Sequence, residues 1–85
     1  MFYVYLIESQ LDGYWYIGFT THLNKRVAKH NRGEVTSTSS RKPWRLIYAE
    51  FYRNKSDALG REKFLKCGAG LRFLKKQLRH HLNGR

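Results

Sequence analysis

One cysteine and one proline stand in the 85 residues of this chain. Cys67 has no second cysteine to join, so neither an internal disulfide nor a cysteine-based zinc cluster is available. A small, buried or half-buried residue at a helix end is its expected place, with a nucleophilic role as the alternative. No run approaches the roughly 18 consecutive apolar residues of a membrane-spanning helix. The first residues, Met1-Phe2-Tyr3-Val4-Tyr5-Leu6-Ile7-Glu8, carry no basic leader and no small-residue cleavage site, so no secretory leader is expected. Acidic side chains are scarce as well: 6 Asp and Glu stand against 17 Lys and Arg, a formal net charge of +11. Such an excess opposes compaction by self-repulsion and attracts polyanions. Nucleic acid is the first polyanion to consider and an anionic membrane surface the second. The near absence of cysteine fits a reducing, cytoplasmic setting, beside the nucleoid if DNA is the partner.

What the chain does have is apolar and aromatic: 41% hydrophobic residues and 15% aromatics argue against disorder. The length suits one domain, residues 1–85, with a thin core. Phe2 to Glu8 reads as a buried strand. Ser9 to Gly13 reads as a turn with Asp12-Gly13 as its hairpin signal, and Tyr14 to Phe19 as a second strand. So short a connection makes the two antiparallel. Thr20 or Thr21 is a candidate cap for a helix running to about Asn31, with Gly33 as its stop. Glu34 to Lys42 is polar and aperiodic, and reads as a mobile surface loop. Trp44 to Phe51 alternates in part and predicts a third strand with Trp44, Leu46 and Tyr48 on one face. Asn54 or Ser56 can cap a helix to about Cys67, Gly68-Ala69-Gly70 breaks it, and Leu71 to Leu82 predicts a final basic helix. The order is β-β-α-β-α-α. It predicts an α+β fold: a small three-stranded sheet, antiparallel or mixed, flanked by helices.

Some polar residues fall where packing alone would not place them. At about 100° per residue, His30 projects within roughly 20° of Leu23, and Arg26 lies beside it, one turn away. An ordinary alternative is a snorkelling arginine and a hydrogen-bonded, half-buried histidine. On the second helix Glu62 projects into an arc made by Ala58, Leu59 and Leu65. A carboxylate there needs a cation or a metal, because an unpaired buried charge is expensive. An i,i+4 pair with Lys66 would satisfy it near the surface instead. Tyr3, Tyr5, Tyr14 and Tyr16 sit on strands, where a tyrosine usually packs in the core with its hydroxyl partnered. His80-His81 lacks a third ligand and reads as a solvated tail.

Taken in order, the Tyr3-Val4-Tyr5 strand, then Tyr16-Ile17-Gly18-Phe19-Thr20, then Leu23-Asn24-Lys25-Arg26-Val27-Ala28-Lys29-His30-Asn31 resemble the GIY-YIG nuclease family. Lys42-Pro43-Trp44-Arg45-Leu46-Ile47-Tyr48 and Arg61-Glu62-Lys63-Phe64-Leu65-Lys66 extend the resemblance to roughly residues 2 to 78. They are similar to its small stand-alone bacterial branch. The same superfamily supplies catalytic domains to repair endonucleases, including the incision subunit of nucleotide excision repair, and to homing and restriction enzymes. The first motif here reads Tyr-Val-Tyr rather than Gly-Ile-Tyr, as is common in that branch.

The resemblance implies roles. Tyr5 closes the first motif, Tyr16 opens the second, and Gly18 lets the backbone pass close to the site. Arg26 matches the helix arginine and His30 the residue one turn later, a tyrosine in some relatives. Glu62 matches the acidic ligand of a single divalent ion, Mg²⁺ or Mn²⁺. No role is carried to Asn83, although some relatives place an asparagine after the glutamate. The implied reaction is metal-dependent phosphodiester hydrolysis in nucleic acid, DNA rather than RNA, directed by structure rather than sequence. Arg26 would neutralise the developing charge on the phosphate, and Glu62 would hold the ion. Tyrosine is a weak base at neutral pH unless its anion is stabilised, while histidine titrates closer to neutrality, so the base is left open between Tyr16 and His30. Lys25, Lys29, Arg32, Arg41 and Lys42 are candidate phosphate contacts, with Lys75, Lys76 and Arg79 further along the chain. Such contacts position the backbone and read no sequence. Specificity would then come from another subunit, a homodimer partner or substrate shape. Two rivals remain: a non-catalytic nucleic-acid-binding module on the same fold, and a membrane or protein-interaction domain using the basic, amphipathic residues 71–82.

Overall fold

The computed structural model describes residues 1–84. Its three strands are β1 (Phe2–Ser9), β2 (Trp15–Thr20) and β3 (Trp44–Tyr52). They form one sheet in the order β2-β1-β3, antiparallel throughout. The helices are α1 (Leu23–Asn31), α2 (Lys55–Lys66), α3 (Gly68–Gln77) and α4 (Arg79–Asn83). The α+β class and the element order therefore match the sequence reading.

Val4 to Ser9 of β1 are buried without a break, because both faces of this central strand are covered. Val4 and Leu6 pack with Ile17, Ala58, Leu65 and Leu74 beneath α2 and α3. Tyr5 and Ile7 pack with Trp44 on the other face, joined by Tyr16, Leu23 and Val27. The active residues predicted on β1 and α1 thus share a layer, while α2 belongs to the layer behind.

Several expectations need correcting. Leu6 pairs with Tyr48 but Ile7 with Leu46, so Ile47 is an extra residue in β3. This bulge breaks the predicted alternation: Ile47 and Tyr48 both pack toward α2, and Leu46 is exposed. Neither Thr20 nor Thr21 caps α1. The cap position is His22, without a side-chain bond, and Thr20 Oγ1 accepts from the His22 amide at 3.1 Å to close the turn out of β2. Leu59 is 42% exposed, because the buried line on α2 runs through Ala58 and Leu65, seven residues apart. Cys67 is exposed.

The stretch from Glu34 to Lys42 is not an aperiodic loop. Thr36–Arg41 forms a 3-10 helix with Thr38 buried inside it. The break after α2 is a single extended residue, Cys67, and Gly68 to Gly70 open α3 rather than interrupt it. Close helix packing explains the second glycine: a Cβ on Gly70 would lie 1.9 Å from the Phe64 carbonyl oxygen. The final helix divides at Leu78 into α3 and α4. After the bend, His81 Nε2 lies 3.2 Å from Glu8 Oε1, so His81 is no solvated tail. Glu8 also accepts from Trp15 Nε1 at 2.9 Å and Arg45 at 3.3 Å.

Other signals hold. Gly13 and Gly33 adopt positive φ, 77° and 76°, one in the hairpin turn and one ending α1. Asn54 caps α2, accepting from the amides of Ser56 and Asp57 at 2.8 and 3.2 Å. Arg61 then fastens α2 to β3 through a two-pronged bond to Glu50, at 2.8 and 3.0 Å. Tyr48 and Tyr52 donate to the same carboxylate at 2.5 and 2.8 Å.

Candidate active site

Tyr5 lies at the centre of β1, 1% exposed, with Gly18 as its neighbour across the β1–β2 ladder. Its phenol end stands over that glycine. A Cβ at position 18 would stand 2.4 Å from the Tyr5 oxygen and 2.5 Å from Cζ. The absent side chain is therefore what lets the phenol reach α1.

There the Tyr5 oxygen sits 2.8 Å from His30 Nε2. His30 is wholly buried, and its other nitrogen, Nδ1, lies 2.7 Å from Thr38 Oγ1. The Thr38 hydroxyl can in turn donate to the Val35 carbonyl at 3.3 Å. Burial, followed by the nearby Arg26 charge, lowers the His30 pKa from 6.5 to about 4, so the ring is neutral at pH 7. A neutral imidazole has one N–H. Arg26 Nε donates to the Tyr5 oxygen at 3.4 Å, a long bond. If His30 Nε2 donated there too, the buried Tyr5 hydrogen would lack an acceptor. The satisfied arrangement has Nδ1–H donating to Thr38 and Tyr5 donating to Nε2. A one-way chain results: Arg26 to Tyr5 to His30 to Thr38 to the Val35 carbonyl.

Burial also raises the Tyr5 pKa, against the lowering effect of Arg26, so the phenol keeps its proton. The Arg26 pKa is raised by its bond to Tyr5 first, and Tyr16 adds to it. The guanidinium is thus held beside both phenols. The Tyr16 ring stands edge-on to His30, with centroids 5.1 Å apart, and 6.5 Å from the Tyr5 ring. Unlike Tyr5, Tyr16 is only half buried, and it lines a groove of about 290 Å³ with Leu65 and Lys66 of α2.

Tyr5, Tyr16, Gly18, Arg26 and His30 therefore come together. Glu62 is partly buried on α2 and pairs with Lys66 Nζ at 3.2 Å, the i,i+4 arrangement. It makes no bond to the other four functional side chains among the described residues, although its charge acts on Tyr5. No group of three His, Cys, Asp or Glu residues that could hold a metal occurs among the described residues. Of the candidate phosphate contacts, Lys25 and Lys29 are exposed on α1. Arg32 pairs with Glu34, Arg41 pairs with Asp12 at 3.0 Å, and exposed Lys42 lies against Gly33.

Sequence reasoning missed Thr38, Asn31 and Trp44 as supports. Asn31 donates to the Trp44 carbonyl at 3.0 Å and accepts from its amide at 2.5 Å, tying α1 to the start of β3. Trp44 Nε1 donates to the Thr38 carbonyl at 3.0 Å, fixing the 3-10 helix over His30. The only trace in the sequence was a run of Ser and Thr with no period.

With this geometry in hand, comparison with known proteins is direct: the GIY-YIG catalytic domain matches residues 1–68. The chain belongs to the GIY-YIG family. A UPF0213 protein of Streptococcus pneumoniae is 42% identical over 65 residues, which cover 75% of this chain and 65% of the relative. The chain thus matches just under two thirds of that relative's length. A UPF0213 protein of Staphylococcus aureus is 43% identical, covering 75% of this chain and 78% of the relative. The solution structure of a UPF0213 protein from Bacillus halodurans superposes with a TM-score of 0.54 at 35% identity, over 94% of this chain and 84% of that one. GIY-YIG is a nuclease family, so the match supports a nuclease-type function on nucleic acid, and its members generally use a divalent metal. No helix among the described residues is long and apolar enough to cross a membrane.

Proposed function

We propose that this GIY-YIG chain is a metal-dependent endonuclease that hydrolyses phosphodiester bonds in the cell's nucleic acid, DNA rather than RNA, in the cytoplasm. The observation that carries the reading is the Arg26 guanidinium bonded to the buried Tyr5 phenol, whose ring neighbours that of half-buried Tyr16. A structural arginine would face a carboxylate. This one meets the Tyr5 hydroxyl, which leaves its charge available for a phosphate.

In this reading Arg26 neutralises the non-bridging oxygens as charge builds up. Tyr16, the accessible phenol beside it, takes the proton from the attacking water. His30 is a positioning residue. Sealed from water with both nitrogens engaged, it acts by orienting Tyr5, whose oxygen then fixes Arg26.

The chain's donor set fits a divalent ion of the Mg²⁺ or Mn²⁺ type at Glu62. A partly buried carboxylate is there, and its partner Lys66 is exposed, so exchanging that pair costs little. One carboxylate suffices for such an ion, which keeps waters and takes phosphate oxygens as ligands. When bound it supplies positive charge at the leaving oxygen. Cleavage of flapped, branched and single-stranded oligonucleotides with and without Mn²⁺, using the Glu62→Gln variant beside the native chain, tests the proposal. Metal-dependent products that vanish in the variant support it. Equal products from both proteins defeat it.

A further inference from the structure

The groove beside Tyr16 continues well past it. β2 is an edge strand, and a second depression of about 350 Å³ adjoins the first along its length. The two share Tyr14, Trp15 and Leu71 as walls. The larger has the volume of a small-ligand pocket, roughly 300–1,000 Å³, and the smaller falls just short of it. Their charged lining residues are Lys75 and, near the Tyr16 end, Lys66, which pairs with Glu62. Among the described residues no acidic side chain lines either depression.

The aromatic walls are set up as platforms. The Trp15 indole is anchored by its bond to buried Glu8, 2.9 Å long, so it is preordered rather than free to turn. Tyr14 is 51% exposed, and the Arg41 guanidinium lies 4.1 Å over its ring. An exposed tyrosine and a half-buried tryptophan beside cations, in a groove leading to a phosphate-handling site, match one chemistry: flat apolar rings joined by phosphates. A duplex buries its base faces in its own stack. Only an unpaired strand offers base faces and phosphates together.

We propose that this groove binds an unpaired nucleic-acid strand, with bases stacked on Tyr14 and Trp15 and a phosphate on Lys75, leading it to Tyr16. The proposal rests on the endonuclease reading for its direction but not for its binding chemistry. It makes the substrate a strand end, flap or gap rather than a continuous duplex.

The test separates the two. Fluorescence anisotropy in EDTA, where no cleavage occurs, measures binding of a labelled oligothymidine and of a blunt duplex to the full chain. The native protein should prefer the single strand. Tyr14→Ala and Lys75→Gln lie on exposed positions, and circular dichroism confirms that each folds. Each variant should weaken single-strand binding about ten-fold, and duplex binding less than about two-fold. Unchanged single-strand binding, or equal loss for both probes, overturns the groove. If the selective loss appears in a protein that cleaves nothing with Mn²⁺, the groove stands and the endonuclease reading falls. If metal-dependent cleavage occurs while single-strand binding ignores both variants, the groove falls and the endonuclease reading stands.

Discussion

Tyr5 and Gly18 face each other across two antiparallel strands, and the phenol of the first fills the space a side chain of the second would need. The glycine is thus a packing partner of the ring as well as part of the backbone. Substituting Gly18→Ala should drive its methyl group into the Tyr5 ring and destabilise the fold by about 1–3 kcal/mol. Urea unfolding measures this. Cleavage should fall as well, because a displaced Tyr5 releases Arg26. An alanine variant as stable as the native chain would mean that the ring can move aside freely.

His30 makes stability depend on pH. Its folded pKa, about 4, lies below the unfolded value of 6.5. The unfolded chain therefore binds more protons between these values, and stability rises with pH across that interval. The contribution is complete above pH 6.5 and is lost as pH falls through 4. At ~1.4 kcal/mol per pH unit across that interval, the loss is about 3 kcal/mol. Chemical denaturation at a series of pH values should show this slope in the native chain, and a His30→Asn variant should lack this share of it.

Tyr16→Phe removes one oxygen and leaves the ring packing intact. The proposed proton acceptor disappears, and cleavage should drop ~10²–10⁴-fold with little change in stability or in substrate binding. Single-turnover cleavage alongside thermal melting separates these quantities. Full activity in the phenylalanine variant would return the assignment of the base to the open choice.

Arg26→Ala should lower the cleavage rate ~10²–10³-fold, as expected for removing charge that stabilises a transition state. Arg26→Lys should rescue poorly, because a lysine lacks the fork that can address a phenol and a phosphate together. Stability should change little, since the bond from Arg26 to Tyr5 is long. A rate unaffected by the alanine variant would remove Arg26 from the mechanism.

Much of this site was legible from residue order because its parts are local. Arg26 and His30 sit four apart on one helix, so periodicity set them on a shared face, while Tyr5, Tyr16 and Gly18 were placed by the resemblance of their motifs to the GIY-YIG family. What stayed hidden depends on contacts between distant segments. Thr38 looked like one more residue in a polar stretch, yet it closes the chain of bonds behind His30 from eight residues away. The bulge at Ile47 left no mark in β3 itself, because it is defined by pairing with Leu6 and Ile7. The two-helix ending was misread because Leu78 keeps an apolar spacing through the bend, and the attraction that accompanies it, His81 to Glu8, spans 73 residues. Glu62 showed the limit most plainly: the same spacing allowed an exposed pair or a buried ligand, and the observed pair with Lys66 is partly buried.

Arg61 and Glu62 are consecutive, and this couples two faces of α2. The grip of Arg61 on Glu50 sets how far the helix is rolled about its own axis. A side-chain tip lies about 5–6 Å from that axis, so a 20° roll would sweep the neighbouring carboxylate by roughly 2 Å. Misalignment on that scale is enough to cost a reaction on the order of 100-fold. Damage at position 50, on the far side of the sheet from Tyr5, would then mimic damage at the proposed reacting centre. Its signature would be a slow enzyme with intact affinity, cured by whatever restores the roll.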